Sequence, residues 1–359
     1  MFIKQLYTNC LSEAAYFVAS EGAAIVIDPL RDIDAYLALA KEHNAEIKYI
    51  FETHFHADFV SGHLELAQAT GATIVYGPDA QTGFKAHHAV DGEVFTIGKL
   101  RLRVLHTPGH TLESTCYVLQ DEQQKDYCVF TGDTLFVGDV GRPDLFSGNL
   151  SKEELAGYLY DSLHSKIIKL EDHVLVYPAH GPGSACGKNL GPNTHSTIGE
   201  QKQTNYALAP QSKEAFVAAV TTGLNAPPAY FPVNASINKK GYDSFETVKA
   251  RGLKPLSVEA FETLVEATGA MILDTRLAGD FCKGFIPQSI NIGIDGDFAP
   301  WVGALIADVN QPIILVTPKG REEETVTRLS RVGFDNLIGH LEGGFEAWQN
   351  SGHEIDTVN

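Results

Sequence analysis

The sequence predicts a chain of two α/β domains, and three observations support this. Apolar runs typical of buried strands alternate with stretches of helical periodicity, which implies sheets covered by helices. Of the 359 residues, 44% are hydrophobic and 20% are charged, as in globular proteins with a core. Prolines and glycines concentrate near residues 223–255 and indicate an irregular connector or a wrapped arm. We therefore predict a first domain at 1–235, a linker at 236–254 and a second domain at 255–359.

The first domain opens with the apolar strands AAYFVAS and AAIVIDP. Apolar residues at helical spacing follow from Ile33 to Ala40, and a second helix is predicted at 151–168. The remaining strands are predicted in IKYIFETH, ATIVYGP, LRLRVLHTPGH, TCYVLQ, YCVFTGD and HVLVYPAH. Several of these runs end in histidine or aspartate. Polar side chains on loops that follow strands are where α/β proteins place functional sites.

The charge and the cysteines exclude several classes of protein. The formal net charge is −18, which disfavours nucleic acids and anionic membranes as partners. No uncharged apolar run approaches the ~20 residues of a membrane span, and the first residues lack the pattern of a signal peptide. The five cysteines are widely spaced and form no disulfide framework. We expect a cytoplasmic protein in a reducing compartment.

Six histidines and aspartates directly follow apolar strands and predict a metal site. They are His54, His56 and Asp58 after IKYIF, His110 in HTPGH, Asp133 in FTGD and His180 in YPAH. A single histidine of this kind is usually a core or surface residue. Ligand-type side chains at four separate strand ends, however, indicate a shared metal centre.

These motifs, T-H-x-H-x-D, T-P-G-H-T, F-T-G-D and P-A-H, resemble those of the metallo-β-lactamase superfamily over about residues 1–200. The resemblance implies an αββα sandwich with the metal at the edge of its two sheets. One position departs from the pattern of hydrolases such as glyoxalase II, which carry a histidine after the motif aspartate. Phe59 stands there in this chain, and a phenyl ring cannot serve a second metal ion.

The remaining set resembles the persulfide dioxygenase branch of the superfamily. That resemblance implies one Fe(II) ion held by His54, His110 and Asp133, a donor set that leaves positions open for a substrate sulfur and O2. On the same basis, His56, Asp58 and His180 are expected to orient the ligands or the substrate. The alternative is zinc, with His56 as a third histidine ligand beside His54 and His110.

Two further residues are candidates for the substrate site. Arg142, in a G-R-x-D turn similar to that of persulfide dioxygenases, is expected near the carboxylate of a thiol substrate; alternatively it forms a surface pair with Asp144. Cys186 lies in a loop resembling that of bacterial persulfide dioxygenases fused to rhodanese domains. Its thiol either exchanges sulfur with a persulfide or is inert packing.

The second domain resembles the rhodanese fold over about residues 255–355, through D-x-R, F-x-x-G-x-I-P-x-S-I-N and G-G-x-x-A-W-x-x-x-G. This implies a smaller, doubly wound α/β domain. Thr317 stands where a working rhodanese has its cysteine, and a threonine hydroxyl forms no stable persulfide. Three glutamates at 322–324 follow the same loop and oppose an anionic substrate. We predict that this domain is catalytically inactive.

The function implied by the resemblance is oxidation of a low-molecular-weight thiol persulfide with O2 to sulfite and thiol. A zinc-dependent thioester hydrolase similar to glyoxalase II is the first alternative, and Phe59 argues against it. A non-catalytic sulfur-sensing or scaffold protein is the second. The expected partners are the persulfide and O2, and the proline-rich arm would allow a homo-oligomer.

Overall fold

The computed structural model describes residues 1–145 and 150–358. Asn359, the last residue of the predicted second domain, lies outside them. The chain divides into two compact units. Their bounds are Met1–Pro227 with Asn234–Gly241, and Pro228–Val233 with Tyr242–Asn359.

The first unit contains two six-stranded sheets. The strands of one sheet are β1 (Phe2–Thr8), β2 (Glu13–Ser20), β3 (Ala23–Ile27), β4 (Glu46–Phe51), β5 (Thr73–Tyr76) and β6 (His87–His88), in the order β1-β2-β3-β4-β5-β6. Those of the other are β7 (Val94–Ile97), β8 (Leu100–His106), β9 (Thr115–Gln120), β10 (Asp126–Gly132), β11 (Leu175–Pro178) and β12 (Ser196–Thr197), in the order β12-β11-β10-β9-β8-β7. The first sheet is antiparallel from β1 to β3 and parallel from β3 to β6.

Helices cover the outer faces of both sheets. They are α1 (Asp34–Glu42), α2 (His63–Thr70), α3 (Lys152–Ser165), α4 (Ile198–Thr204) and α5 (Lys213–Thr221). A sixth helix, α6 (Phe231–Lys240), belongs to this unit from Asn234 onward. One apolar core joins the sheets and includes Phe51 and Tyr117. A second packs the outer face of the first sheet against α1 and α2, and a third packs the other sheet against α3 and α5. Three layers of buried apolar surface confirm the predicted αββα sandwich.

Two helices occupy the stretch 223–255, so the prediction of an irregular connector there is wrong. α6 contains Pro232 in its first turn, where the missing N–H group is not needed. The next helix, α7 (Phe245–Gly252), begins after Ser244, whose side chain accepts a hydrogen bond from the Thr247 amide. Pro232 therefore lies at the start of a helix, where composition alone predicts irregular structure.

The second unit contains one parallel sheet of five strands. They are β13 (Pro255–Leu256), β14 (Met271–Asp274), β15 (Ile290–Asn291), β16 (Ile313–Val316) and β17 (Leu337–Leu341), in the order β13-β17-β16-β14-β15. Its helices after α7 are α8 (Val258–Thr268), α9 (Ala278–Phe281), α10 (Phe298–Leu305), α11 (Glu322–Arg331) and α12 (Gly344–Asn350). Phe261 and Trp348 pack α8 and α12 against one face of the sheet. The smaller α/β domain is thus confirmed.

Within the described residues, no helix combines the length and the apolar character that a membrane crossing requires.

Candidate metal centre

Three of the predicted side chains converge at one edge of the sandwich. His54 lies in the loop after β4, His110 lies between β8 and β9, and Asp133 follows β10 directly. One ligand atom of each lies within 4.8 Å of the other two, and all three residues are buried. His110 Nε2 is 3.4 Å and His54 Nε2 is 3.8 Å from Asp133 Oδ2. Strands from both sheets therefore contribute to this group.

The orientation of His54 is set by a short chain of hydrogen bonds. The Thr53 hydroxyl donates to Asp28 Oδ2 at 2.8 Å, and the Thr53 amide donates to Asp28 Oδ1 at 2.7 Å. His54 Nδ1 lies 2.9 Å from the same Thr53 oxygen. Because the Thr53 proton goes to Asp28, Nδ1 carries the proton of the imidazole and donates it to Thr53. The lone pair of His54 is therefore on Nε2 and faces Asp133.

His110 is oriented in the same way by a backbone group. Its Nδ1 lies 2.8 Å from the carbonyl oxygen of Arg142, which can only accept a hydrogen bond, so Nε2 again carries the lone pair. Gly141 makes this close approach possible. A Cβ at residue 141 would lie 2.1 Å from the Asp133 carbonyl oxygen and 2.9 Å from His110 Nδ1. Only glycine fits behind these two ligands.

The chemistry of this group fits a divalent cation. Neither carboxylate oxygen of Asp133 has a hydrogen-bond partner among the described residues, although both are buried. Burial, together with the nearby His56, His110 and His180, lowers the pKa of His54 well below its usual value, so this imidazole is neutral. Two imidazole lone pairs and one unpaired carboxylate facing one point make a donor set of two histidines and one carboxylate.

Asp58 and His180 lie beside this group. His180 Nε2 is 3.4 Å from Asp58 Oδ2 and 3.5 Å from Asp133 Oδ1. Burial raises the pKa of Asp58, although the charges of His180 and His56 act in the opposite direction. The two residues are therefore placed next to the Asp133 ligand, on the side away from His110.

His56 belongs to two further buried groups, one with Asp58 and His180 and one with Asp28 and Glu52. Its Nε2 is 3.0 Å from Asp28 Oδ1 and 3.5 Å from Glu52 Oε2. Burial alone would lower the pKa of His56, but the charges of Asp28 and Glu52 outweigh it and raise this pKa well above its usual value. The Phe59 ring lies over the His56 ring with centroids 4.3 Å apart. His56 is thus held as a cation between two carboxylates.

Arg142 is buried, and its guanidinium group forms hydrogen bonds within the protein. Nε and Nη2 donate to the two carboxylate oxygens of Asp144 at 2.7 and 2.8 Å, and Nη2 also donates to the Asn225 carbonyl. The predicted pair with Asp144 is present, but it lies inside the protein, because Arg142 is only 5% exposed. Within the described part of the chain, Nη1 has no hydrogen bond.

Cys186 is also buried beside the centre. Its Sγ lies within 4.8 Å of ligand atoms of Asp133 and His180, and its carbonyl accepts a hydrogen bond from the Arg142 amide. Burial raises the pKa of the Cys186 thiol well above its usual value, and the charges of Asp58 and Asp133 add to this. Sulfur exchange requires the thiolate, so this role stays a prediction.

The corresponding loop of the second unit follows β16. Thr317 is 3% exposed, and its hydroxyl has no hydrogen-bond partner among the described residues. The Gly320 amide donates to Glu322 Oε1 at 3.2 Å. Arg321 forms a forked pair with Glu324 and also contacts Asp295. The glutamates after Thr317 are therefore engaged within the domain itself, which the sequence does not show.

Several residues of the first unit's site were missed by sequence reasoning. Asp28 and Glu52 each follow a buried strand, which is the signal that identified the other residues and could have found these two. Asn238 has no such signal, because it lies in a helix far along the chain. Its side chain hydrogen-bonds the loop that carries His56 and Phe59.

Family models match both units of the chain. The metallo-beta-lactamase superfamily model matches residues 8–180, and the rhodanese-like domain model matches residues 257–351. Residues 181–256 lie outside both matches.

Two solved structures and one curated relative extend this similarity. A metallo-beta-lactamase from Staphylococcus aureus subsp. aureus COL is 31% identical, with a TM-score of 0.83, over 94% of this chain and 98% of that one. ETHE1 from Myxococcus xanthus is 30% identical, with a TM-score of 0.58, over 67% of this chain and 99% of that one. The hydroxyacylglutathione hydrolase of Dictyostelium discoideum is 33% identical over 46% of this chain. The match spans 61% of that hydrolase, less than two thirds of its length.

Proposed function

Because this chain belongs to the metallo-β-lactamase superfamily and carries a rhodanese-like domain, we propose that its first domain is a persulfide dioxygenase. The reaction is RSSH + O2 + H2O → RSH + SO3²⁻ + 2 H⁺, in which the outer sulfur is oxidised and O2 is reduced. His54, His110 and Asp133 would hold one iron(II) ion. The motifs that resemble those of persulfide dioxygenases, together with the likeness to ETHE1, support this assignment over the first domain.

The observation that carries the proposal is a donor set suited to a single ion. Two imidazole lone pairs and the unpaired Asp133 carboxylate face one point. On the neighbouring side, ligand atoms of His56, Asp58 and His180 also lie within 4.8 Å of one another, but Phe59 supplies no donor and His56 Nε2 is 3.0 Å from Asp28 Oδ1. A binuclear hydrolase needs donors on both sides to generate a bridging hydroxide. The arrangement therefore favours a mononuclear oxygenase over a thioester hydrolase.

Bound iron(II) would supply the redox chemistry that allows O2 to react with the persulfide sulfur. The protein would orient the ligands and keep water away from this buried site. The Thr53 hydroxyl and the Arg142 carbonyl fix the two imidazoles, so they need not reorganise during turnover. His180, whose Nε2 lies 3.5 Å from Asp133 Oδ1, would orient this ligand or the substrate. We assign to Asp58, whose Oδ2 lies 3.4 Å from His180 Nε2, the task of orienting His180.

Arg142 and Cys186 have proposed roles toward the substrate. Arg142 would bind a carboxylate of the thiol through Nη1, while Asp144 keeps the rest of the fork in place. Cys186 would lie beside the outer sulfur and either exchange sulfur with it or exclude water. The second domain is proposed to be inactive in sulfur transfer, because Thr317 replaces the nucleophile.

The test is metal analysis and O2 uptake on protein purified without added metal. We expect one iron per chain and equal amounts of O2 consumed and sulfite formed with a persulfide of glutathione, coenzyme A or bacillithiol. S-lactoylglutathione serves as the hydrolase substrate. Two zinc ions per chain with rapid thioester hydrolysis and no O2 uptake would refute the proposal.

A further inference from the structure

The loop that carries His56, Asp58 and Phe59 is held by a side chain from α6. Asn238 Nδ2 donates to the carbonyl oxygens of His56 at 2.8 Å and of Phe59 at 2.7 Å. Its Oδ1 accepts from the Ser61 amide at 2.9 Å. Asn238 is fully buried, and these three bonds use both of its donor hydrogens. One amide therefore joins three backbone positions of a six-residue loop, at its start, its middle and its end.

We propose that Asn238 is a positioning residue of the metal centre. Asp58 lies between the two carbonyls that Asn238 binds, and its carboxylate contacts His180 Nε2 at 3.4 Å. Phe59, whose carbonyl is one of the two, stacks on His56. Fixing the backbone at these points fixes the carboxylate next to His180 and keeps the phenyl ring over His56. Residue 238 lies outside both matched family ranges, so this support comes from a segment that the superfamily pattern does not include.

The position of α6 does not depend on Asn238 alone. The Gly83 amide donates to the Lys239 carbonyl at 2.8 Å, and a Cβ at residue 83 would lie 2.5 Å from the Lys240 carbonyl oxygen. The end of the helix is therefore packed closely against another loop of the same unit. A substitution at residue 238 should leave the helix in place. It should release the loop from His56 to Ser61, called the metal loop below.

Asn234 provides a matched control. It lies one helical turn before Asn238, on the same face of α6, and it is equally buried. Its side-chain nitrogen and oxygen have no hydrogen-bond partner among the described residues. Changing Asn234 tests the effect of altering a buried amide in α6 without removing a bond to the metal loop.

The experiment compares Asn238→Asp with Asn234→Asp, and Asn238→Ala with Asn234→Ala. At residue 238, aspartate keeps the acceptor for the Ser61 amide and replaces two donors by an oxygen that faces two carbonyl oxygens. With the iron-loaded full chain, we expect Asn238→Asp to lower kcat about tenfold or more, as for a misplaced catalytic group. KM should stay within about twofold of the parent. Both Asn234 variants should keep the parent kcat at temperatures below their Tm.

Two readouts are independent of turnover. In the metal-free protein, hydrogen exchange of a peptide covering 55–62 should be faster in both Asn238 variants than in the Asn234 variants. In the cobalt(II)-substituted protein, the visible spectrum should shift in the Asn238 variants only. Parent-like exchange and spectrum in the Asn238 variants would overturn the proposal. So would a loss of kcat of equal size in the Asn234 variants, which would show a purely structural effect.

The turnover readout rests on the proposed function, and the other two do not. If the parent protein consumes no O2 with any persulfide, the proposed function fails. Exchange and the cobalt(II) spectrum still decide whether Asn238 positions the metal loop. Parent-like values then count against Asn238, and altered values support it.

Discussion

The loop after β10, which carries Asp133, and the loop after β16, which carries Thr317, both follow a buried strand and carry family motifs. They differ in whether their polar groups have hydrogen-bond partners. At the metal centre, the Asp133 carboxylate is buried and left without a hydrogen bond among the described residues, and two imidazole lone pairs face it. In the loop after β16, Glu322 accepts a hydrogen bond from the Gly320 amide, and Glu324 forms an ion pair with Arg321. The metal centre therefore has ligand atoms that lack a partner, whereas the charged side chains after β16 form ion pairs and hydrogen bonds within their own domain.

The comparison indicates which of the two loops is suited to bind a cation. A buried carboxylate without a partner costs free energy, which a bound cation would recover. The loop after β16 has no comparable buried charge among its described residues, since its one buried side-chain polar atom without a partner belongs to the neutral Thr317 hydroxyl. A loop can therefore keep the backbone of a family motif without keeping the reactive side chains that the motif's chemistry needs. The substitutions below test this difference.

The largest effect is expected for Asp133→Ala. Removing the anionic donor should weaken iron binding by more than the ~100-fold that loss of a supporting residue costs. O2 uptake should be lost with it. In the metal-free protein the same substitution should raise Tm, because an unpaired buried carboxylate is removed. Iron analysis and thermal unfolding with and without metal measure both effects. Asp133→Asn is the isosteric control, and an iron content equal to the parent's in either variant would contradict the proposed site.

Phe59→His should change the number of metal ions. The new imidazole would join Asp58 and His180, which already lie 3.4 Å apart, and complete a second donor set. We expect two zinc ions per chain after loading with zinc, together with new thioester hydrolysis. Phe59→Leu removes the ring without adding a donor and should still bind one ion. If Phe59→His also binds one, Phe59 is not what limits the site to a single metal.

Arg142→Lys and Arg321→Lys compare two forked arginine–carboxylate pairs, one in each domain. Arg142 is buried, and lysine cannot reproduce its bonds to Asp144 and Asn225. We expect a loss of about 2 kcal/mol in the free energy of unfolding and a higher KM for a persulfide that bears a carboxylate. The Arg321 pair is exposed, so its loss should cost less than about 1 kcal/mol. Urea unfolding and steady-state kinetics measure these differences, and an unchanged KM in Arg142→Lys would assign Arg142 to structure alone.

Thr317→Cys should have the smallest effect. The Gly320 amide, which would stabilise a sulfur anion, is already bound by Glu322, so we expect no thiosulfate:cyanide sulfurtransferase activity above that of Thr317→Val. The assay follows thiocyanate formation in the full chain. Thr317→Cys combined with Glu322→Gln should gain activity if the glutamate is the obstacle. Turnover in the single variant equal to that of the double variant would show that it is not.

Sequence reasoning reached the fold and the two domain families because their motifs are contiguous. His54, His110 and Asp133 stand out because each lies within four residues of the end of an apolar strand. The roles of Thr53 and the Arg142 carbonyl could not be predicted, since they depend on which ring nitrogen each histidine turns inward. The engagement of His56 by Asp28 also depends on side-chain direction, which spacing does not determine.

The second domain illustrates the same limit. From the sequence, the three glutamates after Thr317 are expected to oppose an anionic substrate, whereas in the structure Glu323 pairs with Lys249 and Glu324 with Arg321. Lys249 lies in the stretch that composition predicts to be irregular. Its helix brings the ammonium group to the glutamate, and nothing local in the sequence indicates that approach.

The hydrogen bonds from Asn238 to the metal loop also affect when that loop can form during translation. Asn238 is 182 residues downstream of His56. At about 5–20 residues per second, roughly 10 to 40 s separate the translation of the two. By the end of that interval all twelve strands of the sandwich have been made, yet until then the carbonyls of His56 and Phe59 lack the Asn238 amide. On the proposal made for Asn238, the metal loop reaches its final form after the sheets. A metal ion that meets the ribosome-bound chain then meets a loop that Asn238 has not yet fixed.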